Sequence, residues 1–121
     1  MSAKKSSVVP ADKLALYEKL VATNPKVKRK GDTNPYTSLN GHMFSHMTPD
    51  GSLALRLSDD DRDAFMKKYK AKAYVAYGVI KKDWVVVPEA LLKKTSELAK
   101  YFDRSYRYVK TLKVKRALKP D

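Results

Sequence analysis

The stretch from Lys30 to Leu57, KGDTNPYTSLNGHMFSHMTPDGSLALRL, constrains the fold more than any other part of the chain, because two turn signals separate three apolar runs. Asn40-Gly41 supplies the positive-φ residues of a tight reversal. Thr48-Pro49-Asp50-Gly51 sets φ with its proline and closes on a glycine. The runs Tyr36 to Leu39, His42 to Met47 and Ser52 to Leu57 therefore read as strands. In the last of them Leu53, Leu55 and Leu57 alternate with Ser52, Ala54 and Arg56, the period of an antiparallel strand buried on one side.

Helices flank these strands. Leu14, Tyr17 and Val21 share one helical face between Pro10 and Thr23, with Leu16 and Leu20 beside them. Pro10 suits the first turn, Asp12 complements the helix N-terminus, and Asn24-Pro25 stops the helix. Ser58 followed by Asp59, Asp60 and Asp61 reads as a serine cap with acids in the first turn, and Ala64, Phe65 and Tyr69 supply the expected buried face. Lys72 to Tyr77 and Trp84 to Val87 are β-branched and aromatic, hence two more strands, separated by Gly78 and a lysine-rich turn. Trp84, followed by three valines, is expected in the core or at a subunit contact. From Glu89 to Lys113 the pattern is helical, with a break near Lys94 because Thr95 and Ser96 offer a fresh cap ahead of Glu97. The order α-β-β-β-α-β-β-α predicts an α+β fold, a two-layer sandwich with a mainly antiparallel sheet covered by helices on one face. The other face and the sheet edges point to pairing between subunits, so a homodimer is expected.

Length and composition bound the rest. A chain of 121 residues with 43% hydrophobic and 32% charged residues fits one heavily charged domain. Residues 10–113 form that domain in this reading, with a flexible basic N-terminus over 1–9 and a loose basic tail over 114–121. No apolar run approaches a membrane span and the N-terminus lacks the apolar core of a signal peptide, so a cytoplasmic protein with no membrane partner is expected. The absence of cysteine excludes disulfides, thiolate zinc sites and cysteine nucleophiles. The net charge of +13 is uneven: residues 1–31 carry +6, residues 32–92 are neutral and residues 93–121 carry +7. Basic flanks around a neutral centre attract phosphates or an acidic partner, and they also keep a small protein soluble.

The blocks KGDTNPYTSLNGHMF, LALRLSDDDRDAF, YGVIKKDWVVVPEALL and ELAKYFDRSYRYVKTLK, in this order, resemble the TfoX/Sxy N-terminal domain family. The resemblance spans about Leu14 to Lys113. It implies a compact two-layer α/β domain similar to secretion chaperones, in agreement with the element order above. Named members regulate bacterial competence but usually carry a second, C-terminal helical domain, and this chain ends where that domain would begin. The family offers no catalytic motif to place on numbered residues here.

The residues themselves nominate few chemistries. His42 and His46, four apart, fall on one side of an extended strand, yet two imidazoles do not make a metal site, and no metal or cofactor is expected. Asp59, Asp60, Asp61 and Asp63 lack the spacing of a calcium loop and read as a helix N-terminus. Lys28, Arg29 and Lys30 precede Gly31 without Walker spacing, leaving either an exposed basic loop or a phosphate-contacting one. Tyr101, Tyr106 and Tyr108 border the buried stripe of Leu98, Phe102, Val109 and Leu112, so packing competes with base stacking. No serine sits in a nucleophile elbow, and no catalytic residue is expected. On the last helix Lys100, Arg104 and Arg107 fall opposite the buried stripe, with Lys110 at the margin and Lys113, Lys115 and Arg116 continuing beyond. These residues, with the Lys28 to Lys30 loop, form the candidate partner surface. The reading is a non-enzymatic interaction or regulatory module that binds a macromolecule such as an acidic protein. Sequence-nonspecific nucleic-acid binding through the basic flanks, and a small-ligand or enzymatic role in a pocket the sequence does not show, remain as alternatives.

Overall fold

The computed structural model describes residues 9–31 and 34–112. Residues 1–8 of the tail expected over 1–9 and the whole of the tail expected over 114–121, Lys115 and Arg116 included, lie outside the described residues, as does Lys113. The order is α1 (Ala11–Val21), β1 (Tyr36–Leu39), β2 (His42–Met47), β3 (Leu53–Arg56), α2 (Asp59–Tyr69), β4 (Lys72–Ala76), β5 (Val79–Val87), α3 (Glu89–Leu92) and α4 (Thr95–Thr111). The strands form one antiparallel sheet in the order β1-β2-β3-β5-β4, an α+β fold. Asn40 and Gly41 turn β1 into β2 at φ of 55 and 85°. The β2–β3 reversal closes through Gly51 N–H on the Thr48 carbonyl at 2.9 Å, with Gly51 at φ +88°.

The core lies between the sheet and the helices. Leu53, Leu55, Val85 and Val87 of the central strands meet Tyr17 and Leu20 of α1, Phe65 of α2 and Leu98, Phe102 and Val109 of α4, all buried. Alternation decides which residues take part, since side chains at every second position of a strand share a face. Trp84 consequently falls on the opposite face, where it is half-buried against His46 and Tyr74 instead of sitting in the helix-covered core.

Several local expectations change. Val9, expected to fray, is buried: it precedes the Pro10 cap and joins the same cluster as Leu14, the arrangement of a hydrophobic staple. Ser58 does cap α2, accepting from the Asp61 N–H at 3.4 Å. Ala64 is exposed, however, and Met66 takes its place beside Phe65 and Tyr69. The break before α4 is present, but Lys94 is its cap residue and no side chain of Thr95 or Ser96 serves as the cap.

One irregularity reshapes β2. The register passes from Ser38↔Met43 to Thr37↔Ser45, leaving Phe44 as an extra residue. A bulge of this kind places two consecutive side chains on the same side. Phe44 and Ser45 are accordingly both buried, Phe44 against Phe102 and Tyr106, Ser45 against Tyr17 and Thr37. Ser105 of α4 donates to the Phe44 carbonyl at 3.1 Å, tying the helix to the bulge. The bulge also corrects the histidine reading. His42 pairs with Leu39 and His46 with Tyr36, positions of opposite parity on β1, so the two imidazoles occupy opposite faces of the sheet.

Candidate functional site

The last turn of α1 packs beside α4, and between them opens a groove of about 540 Å³. Its apolar lining comes from Pro25, Ala99, Phe102 and Tyr106, and its charged rim from Lys26, Asp103, Arg107 and Lys110. The end of α1 is held rigidly. Thr23 Oγ1 donates to the Leu20 carbonyl at 2.7 Å, Asn24 N–H to the Val21 carbonyl at 3.1 Å, and Lys26 N–H to Asn24 Oδ1 at 3.0 Å. These bonds end the helix by side-chain and turn capping and present Lys26 beside α4. On the facing helix, Phe102 is fully buried and the Tyr106 ring packs edge-on against Phe44 at 5.9 Å. The apolar wall is thus fixed by the core.

The charge of this rim is net positive. Arg107 Nε donates to Asp103 Oδ2 at 2.8 Å, an i, i+4 pair, which leaves Lys26 and Lys110 as the uncompensated charges among the four. An exposed pair of this kind is worth little in stability and is easily exchanged for another anion. The groove can therefore seat an apolar side chain on Pro25, Ala99 and Tyr106 while carboxylates or phosphates meet Lys26, Arg107 and Lys110.

Of the basic residues singled out from the sequence, Lys100, Arg104, Arg107 and Lys110 are all exposed on α4, as helical periodicity requires. Two of them engage acids: Arg104 Nη1 lies 2.8 Å from Asp61 Oδ1 of α2, and Arg107 is paired with Asp103. The Lys28 to Lys30 loop is tied back onto the domain. Arg29 Nε meets Glu18 Oε2 at 2.9 Å, and Lys30 bridges Tyr36 through its backbone while its Nζ donates to Ser38 Oγ at 3.1 Å. Only Lys28 of the three is both exposed and outside these contacts as described.

Elsewhere the polar side chains do structural work that the charge pattern did not reveal. Asp83 accepts from Arg56 Nη2 at 3.2 Å and from the Tyr108 hydroxyl at 3.2 Å, joining β3, β5 and α4. Burial, and then the Asp83 carboxylate, raise the Tyr108 pKa. The Tyr69 hydroxyl donates to Glu97, which lowers the Glu97 pKa and, with burial, raises that of Tyr69. Tyr101 lies edge-on to Phe65 and Tyr69, with centroids 5.0 and 5.7 Å away, and is thus part of an aromatic cluster between α2 and α4. Among the described residues no group of three or more His, Asp or Glu is placed to hold a metal ion, and no helix is long and apolar enough to cross a membrane.

The residues that sequence reasoning missed are Thr23, Asn24, Pro25 and Lys26. They read as a helix stop, which they are, but their place in the groove depends on α4 lying alongside. A lysine directly after a helix-stopping Asn-Pro was the one available signal, and it does not specify a neighbour. No family model matches the chain, and no curated protein or solved structure matches it.

Proposed function

We propose that this chain is a non-enzymatic interaction module, similar to the TfoX N-terminal domain, and that it binds an acidic segment of another protein in the groove between α1 and α4. The observation that carries the reading is the placement of Lys26 of the α1 end opposite Arg107 and Lys110 of α4 around an apolar floor. An acidic stretch with one large apolar residue satisfies both parts of such a groove, the apolar side chain by burial and the carboxylates by charge-assisted hydrogen bonds. The uneven net charge adds long-range attraction for a partner of opposite sign and raises the encounter rate.

Native lysate, with and without nuclease treatment, passed over immobilised wild type and over the triple variant Lys26→Glu, Arg107→Glu, Lys110→Glu tests the reading. Wild type is expected to retain an acidic protein that the variant loses. Identical recovery by both overturns it. Recovery that disappears with nuclease moves the assignment to nucleic acid bound through phosphates.

A further inference from the structure

The hairpin of β4 and β5 carries an apolar surface that the fold leaves uncovered. Val75, Tyr77, Val79 and Ile80 are 54, 101, 55 and 60% exposed, four large apolar side chains within six residues. Strand β3 pairs with β5 only from Val87 to Trp84, so the segment from Val79 to Lys82 extends past it with β4 as its one ladder partner. The register between β4 and β5 is interrupted between Ala73 and Val75, which sets the tip off from the body of the sheet. At the turn, Tyr77 holds a left-handed backbone at φ +54°, next to Gly78 at +75°. Asn or Gly adopts that conformation at lower cost, and a fully exposed aromatic ring gains nothing for the isolated domain by being there. Val75 and Ile80 are register partners and share one face of the hairpin, whereas Val79 pairs with Ala76 on the other; at roughly 200 Å² for a fully exposed large side chain, Val75, Tyr77 and Ile80 present about 400 Å² of surface, within the range of the largest patch a monomer leaves to water.

We propose that this hairpin is a homodimer contact, in which β4 pairs antiparallel with β4 of a second copy and the apolar tip of each hairpin packs against the start of the partner's β4. Three features select a second copy. Among the described residues strand β4 is an edge of the sheet, paired with β5 alone, and an antiparallel edge is complementary to itself under a two-fold rotation. The area fits as well: a stable pair buries about 800 Å² per partner, of which Val75, Tyr77 and Ile80 supply about half and the β4 backbone edge and neighbouring lysine stems the remainder. Lys81 and Lys82 stand at the base of the tip, where they form the solvated rim of such a contact. This surface shares no residue with the groove between α1 and α4, and the proposal stands independently of the partner assigned there.

Like charges on both rims repel, so pairing tightens as salt screens them, the opposite of what a cationic surface shows toward an anionic partner. Sedimentation velocity of the intact chain from about 1 to about 500 μM, at about 0.05 and about 0.5 M salt, reads this directly. The expected result is a concentration-dependent rise to twice the chain mass that is stronger at high salt. Tyr77→Asn and Ile80→Ser, both exposed and compatible with the monomer fold, are each expected to weaken pairing at least about tenfold with unchanged circular dichroism. A chain that stays monomeric throughout the range, or a dimer that both variants leave intact, overturns the proposal. So does a monomer that binds vesicles of anionic lipid through Ile80, which would assign the tip to a membrane surface.

Discussion

The Tyr17 hydroxyl lies 2.6 Å from Ser45 Oγ in the fully buried interior, and Ser45 Oγ lies 2.5 Å from Thr37 Oγ1. Helix α1 is thereby fastened to the bulged part of β2 and through it to the edge strand β1. Burial pushes the Tyr17 pKa up to about 12, since a phenolate there would lose its water. Ser45 is the hub, and its removal leaves two buried hydroxyls short of a partner. Ser45→Ala is therefore expected to cost about 2 to 3 kcal/mol and Tyr17→Phe about 1 kcal/mol. Urea unfolding at neutral pH checks the order; a costlier Tyr17→Phe would show that the hydroxyl of Tyr17, not that of Ser45, organises the cluster.

On the other face of the sheet His46 touches both Trp84 and Tyr74 with ring centroids 5.2 Å apart. Burial lowers the His46 pKa from its ordinary 6.5. The unfolded chain takes up a proton near 6.5 and the native chain only below that, so the neutral imidazole contributes stability that is fully present above 6.5 and is lost as pH falls toward the native value. The melting temperature is expected to decline between pH 7 and 5 in wild type and to flatten over that window in His46→Gln. The carboxyls of Asp50, Glu89 and Glu97, lowered mainly by Thr48, Lys13 and Tyr69, add their own losses only in the acid range below. Trp84 is the one tryptophan in the chain, and its fluorescence should report the same titration.

Because Trp84 is half-buried on this face, Trp84→Ala is expected to cost about 2 kcal/mol, below the 3 to 5 kcal/mol of a fully buried ring. Thermal and urea unfolding check it. A loss beyond about 4 kcal/mol would place the indole inside a covered interface.

The cationic stripe of α4 makes a separate prediction about salt. If the chain binds duplex DNA through about four phosphates, log affinity falls against log salt with a slope near about −3.6. Arg104→Glu with Arg107→Glu should flatten that slope. An acidic protein seated in the groove gives a different pattern, loss of the complex in the double variant with negligible DNA affinity in wild type at physiological salt.

Tyr77→Asn separates folding from association. Relief of the left-handed backbone should stabilise the monomer by about 0.5 to 1 kcal/mol, measured by urea unfolding at low micromolar concentration. Unchanged or reduced stability would mean the tyrosine contributes contacts within the monomer itself.

The turns, the α2 cap and the exposed face of α4 were legible along the chain because each depends on residues a few positions apart, although the Thr95–Ser96 cap and the Ala64 face were not. Asn40-Gly41 and Gly51 adopt the positive φ their turns need, Ser58 caps α2, and the spacing of Lys100, Arg104 and Arg107 placed them on the exposed side of α4 before any packing was known. What the sequence could not disclose are relations that exist only once distant segments meet. The extra residue Phe44 is defined by Thr37 and Ser38 across the ladder, and it alone moves His42 and His46 to opposite faces and sends Ser45 inward. Which acids neutralise Arg29 and Arg104 follows from where α1, α2 and α4 settle around the core, and the Lys26 rim of the groove follows from the same packing, whereas the Asp103–Arg107 pair is local to α4. Local conformational preference acts over a turn or two of chain, whereas register, face and charge pairing are decided by which apolar surfaces exclude water together, and that choice is made by the whole core at once.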